Sequence, residues 1–145
     1  MSSRHHLPRP SVLLPAAALL ASLTLAGSAG AQEQAPPTAP FQRVSALVPL
    51  PDFIPGLGTL YVDPATLPAG PFLAYGRDGR LVSTVYMLPL ATFEKREGWE
   101  GLDAAKSPVD HVDVLYNAGH PGVAEPHYHV ILWHVSREAA AELAR

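Results

Sequence analysis

The segment PFLAYGRDGRLVSTVYML, from Pro71 to Leu88, decides the predicted fold. Two apolar runs rich in β-branched and aromatic residues flank the pair Asp78-Gly79. An Asp-Gly pair between such runs favours a tight hairpin turn, because these residue types tolerate a positive φ angle. The segment therefore predicts two antiparallel strands, at Phe72–Tyr75 and Leu81–Leu88.

Further strands and two short helices are predicted on both sides of this hairpin. Runs rich in valine and aromatic residues are typical of strands, and a Ser or Thr cap before an alanine- or glutamate-rich run indicates a helix start. The strand segments are GTLYV (58–62), HVDVLYN (111–117) and HYHVILWHV (127–135). The first helical segment is LATFEKREG (90–98), with Thr92 as its cap and Gly98 at its end. The second is SREAAAELAR (136–145), with Ser136 as its cap. Because proline interrupts helices, the 16 prolines argue against long ones. We predict an α+β, mainly β domain, an antiparallel sheet or partly closed barrel of about five or six strands with one or two short helices.

Residues 1–31 have the organisation of a secretory signal peptide. Arg4 and Arg9 precede an apolar run of alanine and leucine, and Ala29-Gly30-Ala31 fits the small-residue cleavage rule. The apolar run is shorter than the roughly 20 residues of a membrane-spanning helix and contains Pro15. A cleaved signal is therefore favoured over a membrane anchor. The mature protein is expected to have no membrane span and to be exported, to the periplasm or to the outside of the cell.

The rest of the chain is expected to hold one domain. Residues 32–40, QEQAPPTAP, are polar and proline-rich and predict a flexible spacer before a single β-rich domain at 41–145. The chain has no cysteine, so the domain depends on its core, a ligand or self-association for stability, and we expect a homo-oligomer. A net charge of −3 without a Lys/Arg cluster argues against a nucleic-acid partner.

All histidines outside the predicted signal segment lie in DHVDVLYNAGHPGVAEPHYHVILWH, near the C-terminus. Alternate residues of a strand share a face, so His127 and His129 lie together, as do His111 and Asp113 on the preceding strand. The connection NAGHPGVAEP is rich in glycine and proline, and its backbone can bring His120 back over them. Because histidine is the commonest transition-metal ligand, these residues are the candidate ligands of a zinc-like divalent ion.

The same side chains also fit a hydrogen-bonded cluster without an ion, in which the imidazoles bond one another, nearby carboxylates and backbone carbonyls. The H-x-H pattern does not decide between the two. The sequence contains no cysteine nucleophile, no G-x-S-x-G motif, no glycine-rich phosphate loop and no H-E-x-x-H motif. Catalytic residues are therefore not assigned, and whether the chain is an enzyme stays open.

The run PVDHVDVLYNAGHPGVAEPHYHVILWHV resembles a domain family of unknown function in exported bacterial proteins, of TTHB type, with a GHxP…PH[FY]xxH-like signature. YVDPATLPAGPFLAYGRDGRLVSTVYMLPL resembles the family's N-terminal half, so the resemblance covers residues 56–135. Gly119-His120-Pro121 and Pro126-His127 match the signature, whereas Tyr128-His129-Val130 departs from it and moves a histidine. The resemblance implies an exported, β-rich, oligomeric protein and implies no reaction.

A second, weaker resemblance is to the cupins. PHYH is similar to the first cupin motif, but the glutamate expected shortly afterwards is absent from VILWHV, and no second motif follows. This departure places a cupin well behind the first family.

Three functions remain open. The first is an exported protein with a histidine-rich, divalent-metal-binding site, and the second is a small metal-dependent enzyme with cupin-like or hydrolase-like chemistry. The third is a cell-envelope assembly or interaction module with structural histidines. Ligand number separates the first two, because four protein ligands close a structural site, whereas three ligands beside a pocket favour catalysis.

Export with cleavage after Ala31 is the first testable prediction, because the small residues before this bond fit the signal-peptidase rule. Mass spectrometry of protein from the exported fraction should find Gln32 at the N-terminus. An intact Met1, or protein confined to the membrane pellet, would contradict it.

Overall fold

Six strands and two helices form the domain in the computed structural model, which describes residues 33–145. The predicted signal segment lies outside the described residues. The strands are β1 (Gln42–Arg43), β2 (Thr59–Val62), β3 (Phe72–Tyr75), β4 (Leu81–Pro89), β5 (His111–Asn117) and β6 (His127–Trp133), and the helices are α1 (Leu90–Glu94) and α2 (Arg137–Glu142). All strand pairs are antiparallel and follow the order β1-β2-β3-β4-β6-β5 in one open sheet. The predicted α+β, mainly β fold is confirmed.

The predicted hairpin joins β3 to β4. The Gly76 amide donates to the Arg80 carbonyl at 2.9 Å and closes the turn. Gly79 has a φ of 78°, the left-handed conformation that the Asp-Gly pair predicts. The Asp78 carboxylate also accepts from the Arg80 amide at 3.1 Å. The local turn chemistry therefore fixes the register of the central strands.

Both faces of this central hairpin are covered. Every residue of β3 is buried, which requires an apolar layer on each side of the sheet. One layer contains Phe72, Val85 and Ile131, and the other contains Leu73 and Tyr75. Alternation along β3 sends neighbouring side chains into different layers. The hairpin is thus the rigid frame on which the outer strands are placed.

The helix after β4 differs from the predicted one. It begins at Leu90, directly after β4, and does not use Thr92 as its cap. The Leu90 amide donates to the Pro126 carbonyl at 3.0 Å, and this bond ties the helix start to the residue before β6. The helix ends at Glu94, and Arg96, with a φ of 59°, takes the left-handed conformation two residues before Gly98. The second predicted helix does begin at its Ser cap, since the Ser136 hydroxyl accepts from the Ala139 amide at 3.3 Å.

The residues that precede β1 contact the domain. The Ala35 amide donates to the Gly79 carbonyl at 2.8 Å, and Pro37 is buried. The boundaries predicted for the signal, the spacer and the domain stay predictions. Within residues 33–145, no helix is long and apolar enough to cross a membrane.

Candidate metal centre and adjoining pocket

The register between β5 and β6 decides which predicted ligands meet. His127 pairs with Asn117, whereas His111 pairs with Trp133 at the other end of the two strands. Six residues along β5 separate these two pairs, a span of about 20 Å at the rise of a strand. Paired residues share a face, as the sequence predicts, but the antiparallel register sends the two groups of candidate ligands to opposite ends of the strands.

His111 and Asp113 accordingly belong to a different cluster. The His111 ring stacks on Trp133, with 5.8 Å between ring centroids, and its Nδ1 lies 2.7 Å from the Asp110 carboxylate. The Trp133 indole N–H donates to the Asp113 carboxylate at 2.8 Å. These contacts anchor the Trp133 end of the sheet. The structure does not bring His111 or Asp113 to the other candidate ligands.

His120, His127 and His129 do come together, and we call them the histidine trio. One possible ligand atom from each lies within 4.8 Å of the other two. The Nε2 atoms of His127 and His129 are 3.0 Å apart. With metal–nitrogen bonds of about 2.0–2.1 Å, neighbouring nitrogen ligands of one ion are separated by roughly 3 Å. The His127–His129 pair therefore has the spacing of two ligands of one ion, and His120 offers a third ligand atom within 4.8 Å of both.

Backbone carbonyls orient two of the three rings. Nδ1 of His127 bonds the Glu125 carbonyl at 2.7 Å, and Nδ1 of His120 bonds the Pro121 carbonyl at 3.0 Å. A carbonyl only accepts, so each Nδ1 carries the proton and each neutral ring keeps a lone pair on Nε2. This second bond is the usual support of metal-binding histidines, because it fixes the tautomer and the ring orientation.

A tight turn places His120 over the strand pair. The His120 and Val123 backbones exchange two hydrogen bonds, at 2.8 and 2.9 Å. Pro121 and Gly122 occupy the two central positions, and Gly122 has a φ of 90°, the arrangement of a type II turn. A Cβ at Gly122 would also lie 3.0 Å from the Val48 side chain. The connection that the sequence predicts to be bendable is thus a fixed turn packed on the domain.

Burial distinguishes the members of the trio. His127 is fully buried, with 0% of its surface exposed, and the other two are half-buried. Burial, followed by the neighbouring His127 and His120, lowers the pKa of His129 from 6.5 to about 4. Both effects disfavour the imidazolium form. His129 is therefore neutral at physiological pH, which is the protonation state that binds a metal.

A cavity of about 340 Å³ adjoins the trio. His120, His129 and Asn117 contribute the polar side chains of its wall. The remaining lining side chains are apolar: Val44, Leu47, Val48, Leu50, Ile54, Leu57, Leu60, Val62, Leu67, Pro68, Phe72, Val85, Met87, Pro121 and Val123. The site is thus a cluster of histidines at one side of an apolar pocket.

Sequence reasoning did not identify Asn117 or the pocket. Asn117 pairs with His127 across the strands, and its side chain accepts from the Gly119 amide at 2.8 Å. An asparagine followed two residues later by glycine is a turn signal that could have placed it near His120. The pocket wall between Val44 and Pro68 has no such signal, because these residues lie in irregular segments and short strands.

Comparison with solved structures finds a similar protein of known structure. The crystal structure of hypothetical protein TTHB210 from Thermus thermophilus is 46% identical, with a TM-score of 0.59. The match covers 66% of this chain and 87% of that one. No protein-family model and no curated protein matches. The TTHB-type family expected from the sequence is thereby supported, whereas its histidine signature stays a prediction.

The pKa of His129 predicts how acid affects the metal-free protein. Between pH 6.5 and about 4 the unfolded chain binds a proton at this residue and the folded chain does not, so stability should fall as the pH is lowered through this window. Urea unfolding at several pH values should show the decline, and the substitution His129→Gln should flatten it. His111→Gln is the matched control. An unchanged pH dependence in the His129 variant would contradict the assignment.

Proposed function

The chain belongs to the same family as the hypothetical protein TTHB210 of Thermus thermophilus, and we propose that it is an exported protein that binds a divalent transition-metal ion. The ion is zinc-like and is held by His120, His127 and His129. One observation carries the proposal: the ligand atoms of the three imidazoles lie within 4.8 Å of one another. Export rests on the signal-like residues 1–31.

The hydrogen bonds within the trio join only two of its three rings, His127 and His129. Nδ1 of His127 is committed to a carbonyl, so Nε2 of the neutral ring can only accept, and His129 must donate to it across 3.0 Å. Nε2 of His120 is then a second acceptor in the same small space, since its Nδ1 also bonds a carbonyl. A divalent ion accepts all three lone pairs at once. This difference favours a metal over a purely structural histidine cluster.

A metal-dependent hydrolase is the second candidate. Three protein ligands leave a coordination position free, and a zinc-bound water in such a position has a pKa near 7. The observation that favours this reading is the position of His120 and His129 in the wall of an apolar pocket. No carboxylate of residues 33–145 lines that pocket. In this reading His120, His127 and His129 would hold the ion, and the ion would supply the activation of water.

Metal binding is tested by calorimetry with ZnCl₂ and by elemental analysis of the dialysed protein. We expect one zinc per chain. His120→Ala or His129→Ala should weaken binding at least about 100-fold, more than the loss of an outer-shell contact, because each removes a ligand. His111→Ala is the control, since His111 stacks on Trp133 instead of joining the trio.

The absorption spectrum of the cobalt-loaded protein separates the two candidates. A spectrum that changes when a small anion is added indicates an open position, as the hydrolase requires, and an unchanged four-ligand spectrum indicates a closed structural site. Equal zinc affinity in the His120 variant and the wild type would contradict the proposed ligands.

Self-association through β5 is a separate proposal, made for the assembly function. β5 is at the edge of the sheet and carries Val112, Val114 and Tyr116, each more than half exposed, at 51%, 60% and 57%. An exposed apolar edge strand is a template for pairing with another chain, and a second copy offers the same edge.

Light scattering at increasing concentration tests this proposal. The mass should exceed that of a single chain, and Val114→Lys should lower it towards the monomer, because a charge on the edge opposes pairing. Leu102→Lys, at an exposed apolar residue outside β5, is the control. A wild-type monomer at all concentrations would rule the proposal out.

A further inference from the structure

We propose that the pocket beside the histidine trio binds a medium-chain aliphatic monocarboxylate, with its chain in the pocket and its carboxylate on the bound ion. This inference rests on the proposed metal site and adds the chemical class of the ligand. It follows from three features of the pocket: the separation of its polar and apolar walls, its charge and its size.

The polar side chains of the wall lie on one side of the pocket. The sheet order β2-β3-β4-β6-β5 puts Val62 and Phe72, of β2 and β3, on one side of the pocket. It puts His129 and Asn117, of β6 and β5, on the other, where the His120 turn also lies. A ligand that matches this wall is apolar along most of its length and polar at one end.

The charge at the polar end favours an anion. No Asp, Glu, Lys or Arg of residues 33–145 lines the pocket. Neutral imidazoles do not offset the charge of a divalent ion, so the bound ion keeps its two positive charges beside an apolar cavity of low dielectric constant. An anionic oxygen ligand offsets that charge most directly. The amide of Asn117, in the same part of the wall, offers hydrogen-bond donors for a second carboxylate oxygen.

The size of the pocket fits a chain of intermediate length. A volume of about 340 Å³ is at the small end of ligand sites. Three inter-strand spacings separate β6 from β2 in the sheet, and at about 4.8 Å each they give roughly 14 Å. That length accommodates a carboxylate with an extended chain of about eight carbons, and a long-chain acid would project into solvent.

Calorimetry with sodium octanoate tests the inference on the full chain, first titrated with ZnCl₂ alone. Octanoate should bind the zinc-loaded protein at least about tenfold more tightly than the metal-free protein, because the carboxylate ligates the ion. Butyrate should bind about 200-fold more weakly than octanoate, since four fewer methylene groups are buried. In the cobalt-loaded protein, octanoate should change the visible absorption spectrum.

Two tryptophan variants locate the octanoate. Leu47 lines the pocket and is 40% exposed, so Leu47→Trp narrows the pocket at its rim without disturbing the core. This variant should lose octanoate affinity at least tenfold. The control is Leu102→Trp, at an exposed residue that does not line the pocket, and it should bind octanoate like the wild type.

The outcomes separate this inference from the metal site. Zinc binding without octanoate binding overturns the inference and leaves the proposed function standing, whereas the absence of zinc binding overturns both. Equal octanoate affinity with and without zinc overturns the placement of the carboxylate on the ion. An unchanged affinity in Leu47→Trp overturns the placement of the chain in the pocket. Zinc-dependent binding that increases with chain length and is lost in Leu47→Trp supports the inference.

Discussion

The fully buried imidazole of His127 is the constraint on which the site depends. A buried ring needs a partner at both nitrogens, and Nδ1 obtains one from the Glu125 carbonyl two residues earlier in the chain. The neighbouring Pro126 carbonyl accepts from Leu90 and links the same bend to α1. The two residues before β6 are therefore held by hydrogen bonds, Glu125 to the His127 ring and Pro126 to the Leu90 amide. Nε2 of His127 lies 3.0 Å from Nε2 of His129. The start of β6 therefore determines where the site lies.

The sequence predicted the hairpin and the shared faces because both depend on neighbouring residues. Asp78-Gly79 determines a turn locally, and alternation determines that His127 and His129 lie together. The register of β5 on β6 is different, because the connection between His111–Asn117 and His127–Trp133 is long and contains a turn of its own. Pairing by face alone leaves the offset between strands undetermined. This is why His111 was predicted beside the trio and lies at the other end.

The two ends of the β5–β6 pair have different roles. At one end, Trp133 is held by the Asp113 carboxylate and by stacking on His111, and its side chain joins the core. At the other end, His127 and His129 turn their Nε2 atoms towards each other, and His129 lines the pocket. The polar residues of the first end anchor the strands, whereas those of the second gather imidazole nitrogens at the pocket. A count of histidines cannot separate these roles, but their hydrogen-bond partners do.

The apolar pocket and the histidine trio also affect each other. Burial lowers the pKa of His129 to about 4, so the apolar surroundings keep this imidazole neutral and exclude the proton as a competing cation. A divalent ion at the proposed site would accept the lone pairs of the three imidazoles. Such an ion would also bring a charge that no side chain of the pocket wall balances, so the same surroundings would favour an anionic ligand on it.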